Sequence, residues 1–242
     1  MRKEAHLVAL WGLVLRAVVL ALVLAALIAG PRAGWGWAAG LIGAGLVVYA
    51  VARRPGRGDF TYAAASAIVI PDLLGFALAG LFAAFPVWAT PDLGSGALHP
   101  SAWLMWPMAL LSTSLLFIAW RSESFALRLT PEALEMTRGV ACWHVPYAEI
   151  SEVGPWRRDL PRWMRAVVPF LLASGRYGPA GAVMLARERR GIALRVRGHP
   201  DLIIETDSLH PAGSKLLKAL SQRGIPGLPL SPARSGARAP AS

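Results

Sequence analysis

Two ionisable residues interrupt long apolar runs in this chain: Arg16 in LVALWGLVLRAVVLALVLAALIA and Asp72 in YAAASAIVIPDLLGFALAG. A charge placed in such a run is costly in a bilayer, so it needs a partner or a purpose. Arg16 lies nine residues into its run and Asp72 ten into its own; at a rise of about 1.5 Å per residue both sit roughly 14 Å deep. Equal depth permits an ion pair. As a device, the pair reads as a staple between helices, or as an Arg reaching toward headgroups while Asp72 faces the turn loosened by Pro71. The alternative is a proton or substrate path at the centre of a small-molecule transporter or membrane enzyme. One pair without further polar neighbours makes a poor path, and no second half-repeat with interrupted helices is visible.

Other reactive residue types are sparse. Cys142 and His144 share one strand face and would give a metal two ligands, where a site needs three or four. Glu149, Glu152 and Asp159 could do acid–base work but stand beside arginines that they would neutralise. His99, His199 and His210 each precede a proline and read as turn residues. The chain has no Gly-rich phosphate loop, HExxH, GxSxG or paired-cysteine pattern. No catalytic residue, metal or cofactor is expected. Basic residues without a platform of stacking aromatics also argue against nucleic acid.

The elements that would hold these residues are membrane helices. The chain of 242 residues is 55% hydrophobic, has a mean hydropathy of +0.47 and carries a net charge of +11, a combination typical of membrane proteins. A bilayer core of about 30 Å needs about 20 mainly apolar residues in a helix. Four runs qualify: Leu7–Ala29, Trp35–Ala52, Tyr62–Ala89 and Trp103–Trp120. Arg2, Lys3, Arg53, Arg54 and Arg57 flank one side of these spans, whereas on the other side the first link has only Arg32 and TPDLGSGALHPSA has no Lys or Arg. The positive-inside rule therefore puts both termini in the cytoplasm. Trp35, Trp37, Trp88, Trp103 and Trp106 fall at the outer ends of the spans and Trp120 at an inner end, where indoles favour the headgroup level. A cleaved signal peptide is the alternative for span one, although its apolar run is long and no clear Ala-x-Ala site follows. Gly36, Gly40 and Ala44 make a small-residue face on span two, expected to pack inside the bundle rather than on a second copy.

After Trp120 the character of the chain changes. This half holds 18 of the 25 Lys and Arg against 10 acids, an excess of roughly eight positive charges. Cys142 is the single cysteine, which rules out an internal disulfide and fits a reducing compartment. Alternating runs predict strands at Ala126–Thr130, Ala133–Arg138 and Val140–Pro146, and again at Ala182–Arg187, Ile192–Arg197 and Asp201–Thr206. Pro211 opens a predicted helix whose apolar stripe is Ala212, Leu216, Leu217 and Leu220, and Gly224 ends it. Strands that close on one helix imply a small barrel or a pair of sheets plugged at one end.

LRLTPEALEM, a Gly turn and then VPYAEISEV resemble the opening of bacterial pleckstrin-homology (PH) domains, with their L-x-L-T-x-E-G-L hairpin followed by I-P-W-x-x-I-x-x-V. Ala133 stands where Gly is usual and Tyr147 where Trp is usual. LIIETD and the terminal amphipathic helix fit the same pattern, so the resemblance covers residues 122–223. The whole is similar to bacterial integral membrane proteins with such a domain on the cytoplasmic side. An Ala-, Gly-, Pro- and Arg-rich composition also suggests a GC-rich bacterial genome. The resemblance implies a mainly-β PH-like barrel or sandwich with one C-terminal helix. It also implies a non-enzymatic binding role, in which the partner is a lipid headgroup or a protein.

The expected organisation is a four-helix membrane domain (1–121), a cytoplasmic PH-like domain (122–223) and a disordered Pro-, Ala-, Ser- and Arg-rich tail (224–242). Within the second part, residues 155–178 form an insert in which Trp156, Trp163 and other apolar residues accompany Arg157, Arg158, Arg162 and Arg165. That composition suits a segment lying in the headgroup plane with its arginines on anionic phosphates, in an inner membrane. A loop folded back onto the domain is the alternative. Nothing in the sequence sets the oligomeric state.

Overall fold

The computed structural model describes residues 2–54, 56, 58–90, 99–158, 189–198 and 200–225. The chain divides into two compact units, Met1–His144 and Val145–Ser242.

The first unit begins with four helices: α1 (Arg2–Ala33), α2 (Trp35–Ala52), α3 (Ile70–Trp88) and α4 (Ala102–Glu123). All four are long and apolar enough to cross a membrane. Leu15, Val19 and Val23 of α1 pack with Tyr49, Phe76 and Leu116 from the other three helices. α1 runs through Pro31 to Ala33, beyond the expected end at Ala29, and Gly34 alone connects it to α2. So tight a reversal requires the positive φ of 97° at Gly34, which glycine adopts at little cost.

Close helix approach comes from other glycines than those the spacing suggested. A Cβ on Gly75 would lie 2.6 Å from Leu116 of α4, and one on Gly80 would lie 2.8 Å from Val23 and Leu27 of α1. Gly36 and Gly40 would meet nothing within 4 Å, and Ala44 is exposed. The expectation that the Gly36/Gly40/Ala44 face packs within the bundle is therefore corrected. α2 buries Ala38, Gly45 and Tyr49 instead, and on that side the tyrosine hydroxyl donates to Asp72.

α3 is preceded by a π-helical turn, Ala65–Val69, in which the Ile70 amide reaches back to the Ala65 carbonyl. Pro71 follows and has no N–H to offer an ordinary helical bond. The wider turn shifts the phase of the helix, so that Asp72, Gly75, Phe76, Ala79 and Gly80 form its buried stripe.

α4 passes almost directly into a sheet of order β2-β3-β4, where β2 is Ala126–Leu129, β3 Ala133–Arg138 and β4 Ala141–Pro146. The β2–β3 pairing sets Leu127 against Met136 and Leu129 against Leu134. Thr130 closes the turn, its Oγ accepting the Ala133 amide at 3.0 Å. Phe125, Leu127, Leu134 and Met136 are buried, as period-two alternation predicts. Gly139 makes the next turn with a φ of 63°.

The link between α2 and α3 is fastened to this hairpin. Phe60 and Leu127 exchange backbone hydrogen bonds of 3.0 and 2.9 Å, Asp59 Oδ2 accepts the Leu129 amide at 2.8 Å, and Tyr62 stacks on Phe125. The link also contains the two-residue strand β1 (Thr61–Tyr62).

In the second unit β5 (Ile150–Arg158), β6 (Arg189–Val196) and β7 (Leu202–Glu205) form an antiparallel sheet of that order. After the short β8 (Leu209–His210), helix α5 (Gly213–Ser221) buries Leu216 and Leu220, while Val153, Leu194 and Ile204 fill the sheet's core face. Arg223 stacks over Tyr147, and the Arg197 amide donates to the Glu149 carbonyl.

Two three-stranded sheets and a terminal helix thus follow the four helices, and the described strands do not close into a barrel. β5 carries four residues assigned to the insert, since Pro155, Trp156, Arg157 and Arg158 pair with Ile192, Gly191, Arg190 and Arg189. The predicted strand Ala182–Arg187, the rest of the insert and nearly all of the tail lie outside the described residues.

Candidate functional site

Arg16 and Asp72 meet inside the bundle. Arg16 donates from Nε to Asp72 Oδ1 at 2.8 Å and from Nη2 to Oδ2 at 2.6 Å, a two-pronged contact between planar groups. The third nitrogen, Nη1, donates to Glu123 Oε2 at 2.7 Å and to the Gly12 carbonyl at 3.1 Å. Four of the five guanidinium N–H groups therefore have acceptors.

The network continues through both carboxylates. Arg53 donates from Nε to Glu123 Oε1 at 2.7 Å, and the Tyr49 hydroxyl donates to Asp72 Oδ2. Arg16, Asp72 and Glu123 are at most 6% exposed. Each helix contributes: Arg16 comes from α1, Tyr49 from α2 with Arg53 at its cap, Asp72 from α3, and Glu123 is the last residue of α4. Two cations and two anions leave the group with no net charge. Buried ions demand this balance, because solvation lost by each must be returned by its neighbours.

Small residues and indoles make room for the network. A Cβ on Gly12 would lie 3.2 Å from Trp120 and 3.4 Å from Arg16 Nη1, so glycine lets α4 come close enough for Glu123 to reach. Trp120 donates from Nε1 to the Ala9 carbonyl at 2.7 Å, and at the far end of the helices Trp88 donates to the Leu27 carbonyl at 2.6 Å. These two indoles clamp helices together. Trp35, Trp37, Trp103 and Trp106 are exposed, as residues of an interfacial belt would be.

Sequence reasoning found Arg16 and Asp72 and missed Tyr49, Arg53 and Glu123. Tyr49 and Arg53 are four residues apart on one helical face, a signal available in the sequence. Glu123 stands beyond the apolar run, among the acids of the strand-rich half. Because Arg16 shares Glu123 with the cap of α2, the network extends to the ends of α2 and α4, and counting apolar residues overstated its isolation.

The residues singled out in the insert are only partly described. Trp156 is half-buried in β5 and would touch a Cβ placed on Gly191; Arg157 is exposed opposite Arg190, and Arg158 occupies the next register position opposite Arg189. Arg162, Trp163 and Arg165 lie outside the described residues. His144 Nδ1 lies 3.5 Å from Glu135, and the described residues contain no group of three or more His, Cys, Asp or Glu able to hold a metal ion.

No protein-family model, curated protein or solved structure matches this chain.

Proposed function

We propose that this chain is a non-enzymatic, multi-pass protein of a bacterial inner membrane whose strand-rich second half is a PH-like module that binds inner-leaflet headgroups. The observation that carries this reading is the fastening of the first sheet to the helices. α4 ends at Glu123 and β2 starts at Ala126, while Phe60 and Asp59 of the α2–α3 link hold β2 from the side. A sheet held in that way starts within a few residues of the apolar helices. The stretch after Trp120 as a whole carries an excess of roughly eight positive charges, the sign needed to engage anionic lipid.

The closed bonding of the Arg16 network favours this role over transport or membrane catalysis. Its carboxylates and guanidinium hold one another, and a substrate or proton would have to break that network to use it. The network serves as the lock that keeps four helices together.

The test uses the full chain in nanodiscs of neutral or anionic phospholipid, with hydrogen exchange measured across a salt series. Peptides from the second half should be protected in anionic discs at low salt and released as salt screens the attraction, whose range is about 8 Å at physiological ionic strength. Protection indifferent to lipid charge and salt would overturn headgroup binding and favour a protein partner. Orientation is read from Cys142, which a membrane-impermeant maleimide should label in inverted vesicles and not in right-side-out ones.

A further inference from the structure

The last turn of α2 is followed by two arginines that go different ways. Arg53 turns inward to Glu123, whereas Arg54 is exposed and stacks its guanidinium over the Trp11 ring, 5.4 Å from the ring centre. Trp11 is itself 41% exposed, yet its orientation is set by a 2.8 Å hydrogen bond from Nε1 to the Ala52 carbonyl. That carbonyl belongs to the end of α2, where no helical amide remains to satisfy it. The indole thus bridges α1 to α2 and offers its face to Arg54.

We propose that Arg54 and Trp11 form a site for the phosphate of an anionic phospholipid where the end of α2 meets α1. The Arg16 network is neutral without Arg54, and among the described residues no carboxylate pairs with it. Its charge is therefore a surplus cation at the end of an apolar bundle. A guanidinium held by a ring keeps its N–H fork for an oxyanion, and the fork matches a phosphate better than an ammonium does. An indole beside it suits the headgroup level, where one edge is polar and the face apolar. The site rests on the membrane reading of the helices and not on what the second half binds.

Native mass spectrometry of the detergent-purified full chain, offered equal phosphatidylglycerol and phosphatidylcholine, tests it. The unaltered chain should retain phosphatidylglycerol in preference. Arg54→Gln should lower that retention about five-fold, as expected for one basic residue at an anionic surface. Arg54→Lys should recover part of it, and Trp11→Phe should lose part, since the ring then has no N–H to fix it on the Ala52 carbonyl. Arg54 is exposed, so the two Arg54 variants should melt with the parent. Equal phosphatidylglycerol retention by the parent and Arg54→Gln would overturn the site. Retention of both lipids without preference would overturn its anion selectivity while leaving the membrane reading intact. Displacement of the lipid by excess inorganic phosphate would assign the site to a soluble anion instead.

Discussion

Arg16 and Asp72, 56 residues apart in the chain, are joined by two near-parallel hydrogen bonds of 2.8 and 2.6 Å, and neither side chain is more than 3% exposed. Removing one member leaves the other charged in an apolar bundle, which typically costs about 3–5 kcal/mol. Arg16→Gln should therefore lower the melting temperature in detergent steeply. The double variant Arg16→Met/Asp72→Leu, which removes both charges, should recover much of the loss. A double variant as unstable as the single one would show that packing, and not uncompensated charge, dominates at this position.

Glu123 is held by two arginines of unequal burial, Arg16 at 3% and Arg53 at 15% exposure. Water reaches Arg53 more readily and reduces what its ion pair contributes. Arg53→Gln should thus destabilise less than Glu123→Gln, and Glu123→Gln less than Arg16→Gln, which loses both carboxylate contacts. Unfolding midpoints of the three variants in one detergent check the order.

Glycines of the bundle divide into two groups by what a methyl group would meet. Gly75→Ala would press a Cβ to within 2.6 Å of Leu116, an overpacking expected to cost about 1–3 kcal/mol. Leu116→Ala should relieve that clash in the double variant. Gly40→Ala, which meets open space, should leave monomer stability unchanged or slightly raised. Thermal unfolding of the matched set separates the two.

The joint between helices and hairpin is testable through amides. Asp59 accepts the Leu129 amide, and a Cβ on Gly58 would lie 2.9 Å from the Leu127 carbonyl. Asp59→Ala should speed hydrogen exchange at Leu129, and Gly58→Ala should speed it at Leu127 by pushing Phe60 away from β2. Exchange in α1 should not change in either case, since the Arg16 network is untouched.

In the second unit Leu216 of α5 is fully buried, and Leu216→Ala should cost about 2–5 kcal/mol. Because α5 belongs to the second compact unit, exchange should rise in β5 to β7 while the four helices keep their protection.

Most local elements, though not β5, were legible in the residue pattern. Apolar runs of sufficient length made four helices, since a helix satisfies its own backbone wherever it lies. Period-two alternation marked β2, β3, β4, β7 and the larger part of β6, and Gly139 and Gly224 stood where the backbone needs a positive φ. The residue pattern also singled out Arg16 and Asp72, because a charge among apolar residues is conspicuous in one dimension. The contacts between distant segments were not legible in this way. The pairing of Arg16 with Glu123 spans 107 residues, and nothing local distinguishes Glu123 from an ordinary acid at a helix end. Gly36 and Gly40 had the spacing of a packing face, yet Gly75 and Gly80 do the packing, because the π-turn and Pro71 set the phase of α3. Composition likewise grouped Trp156 and Arg157 with a surface insert, while the register of β5 with β6 made them strand. Periodicity reports which face of an element is apolar, and only the folded chain determines what that face meets.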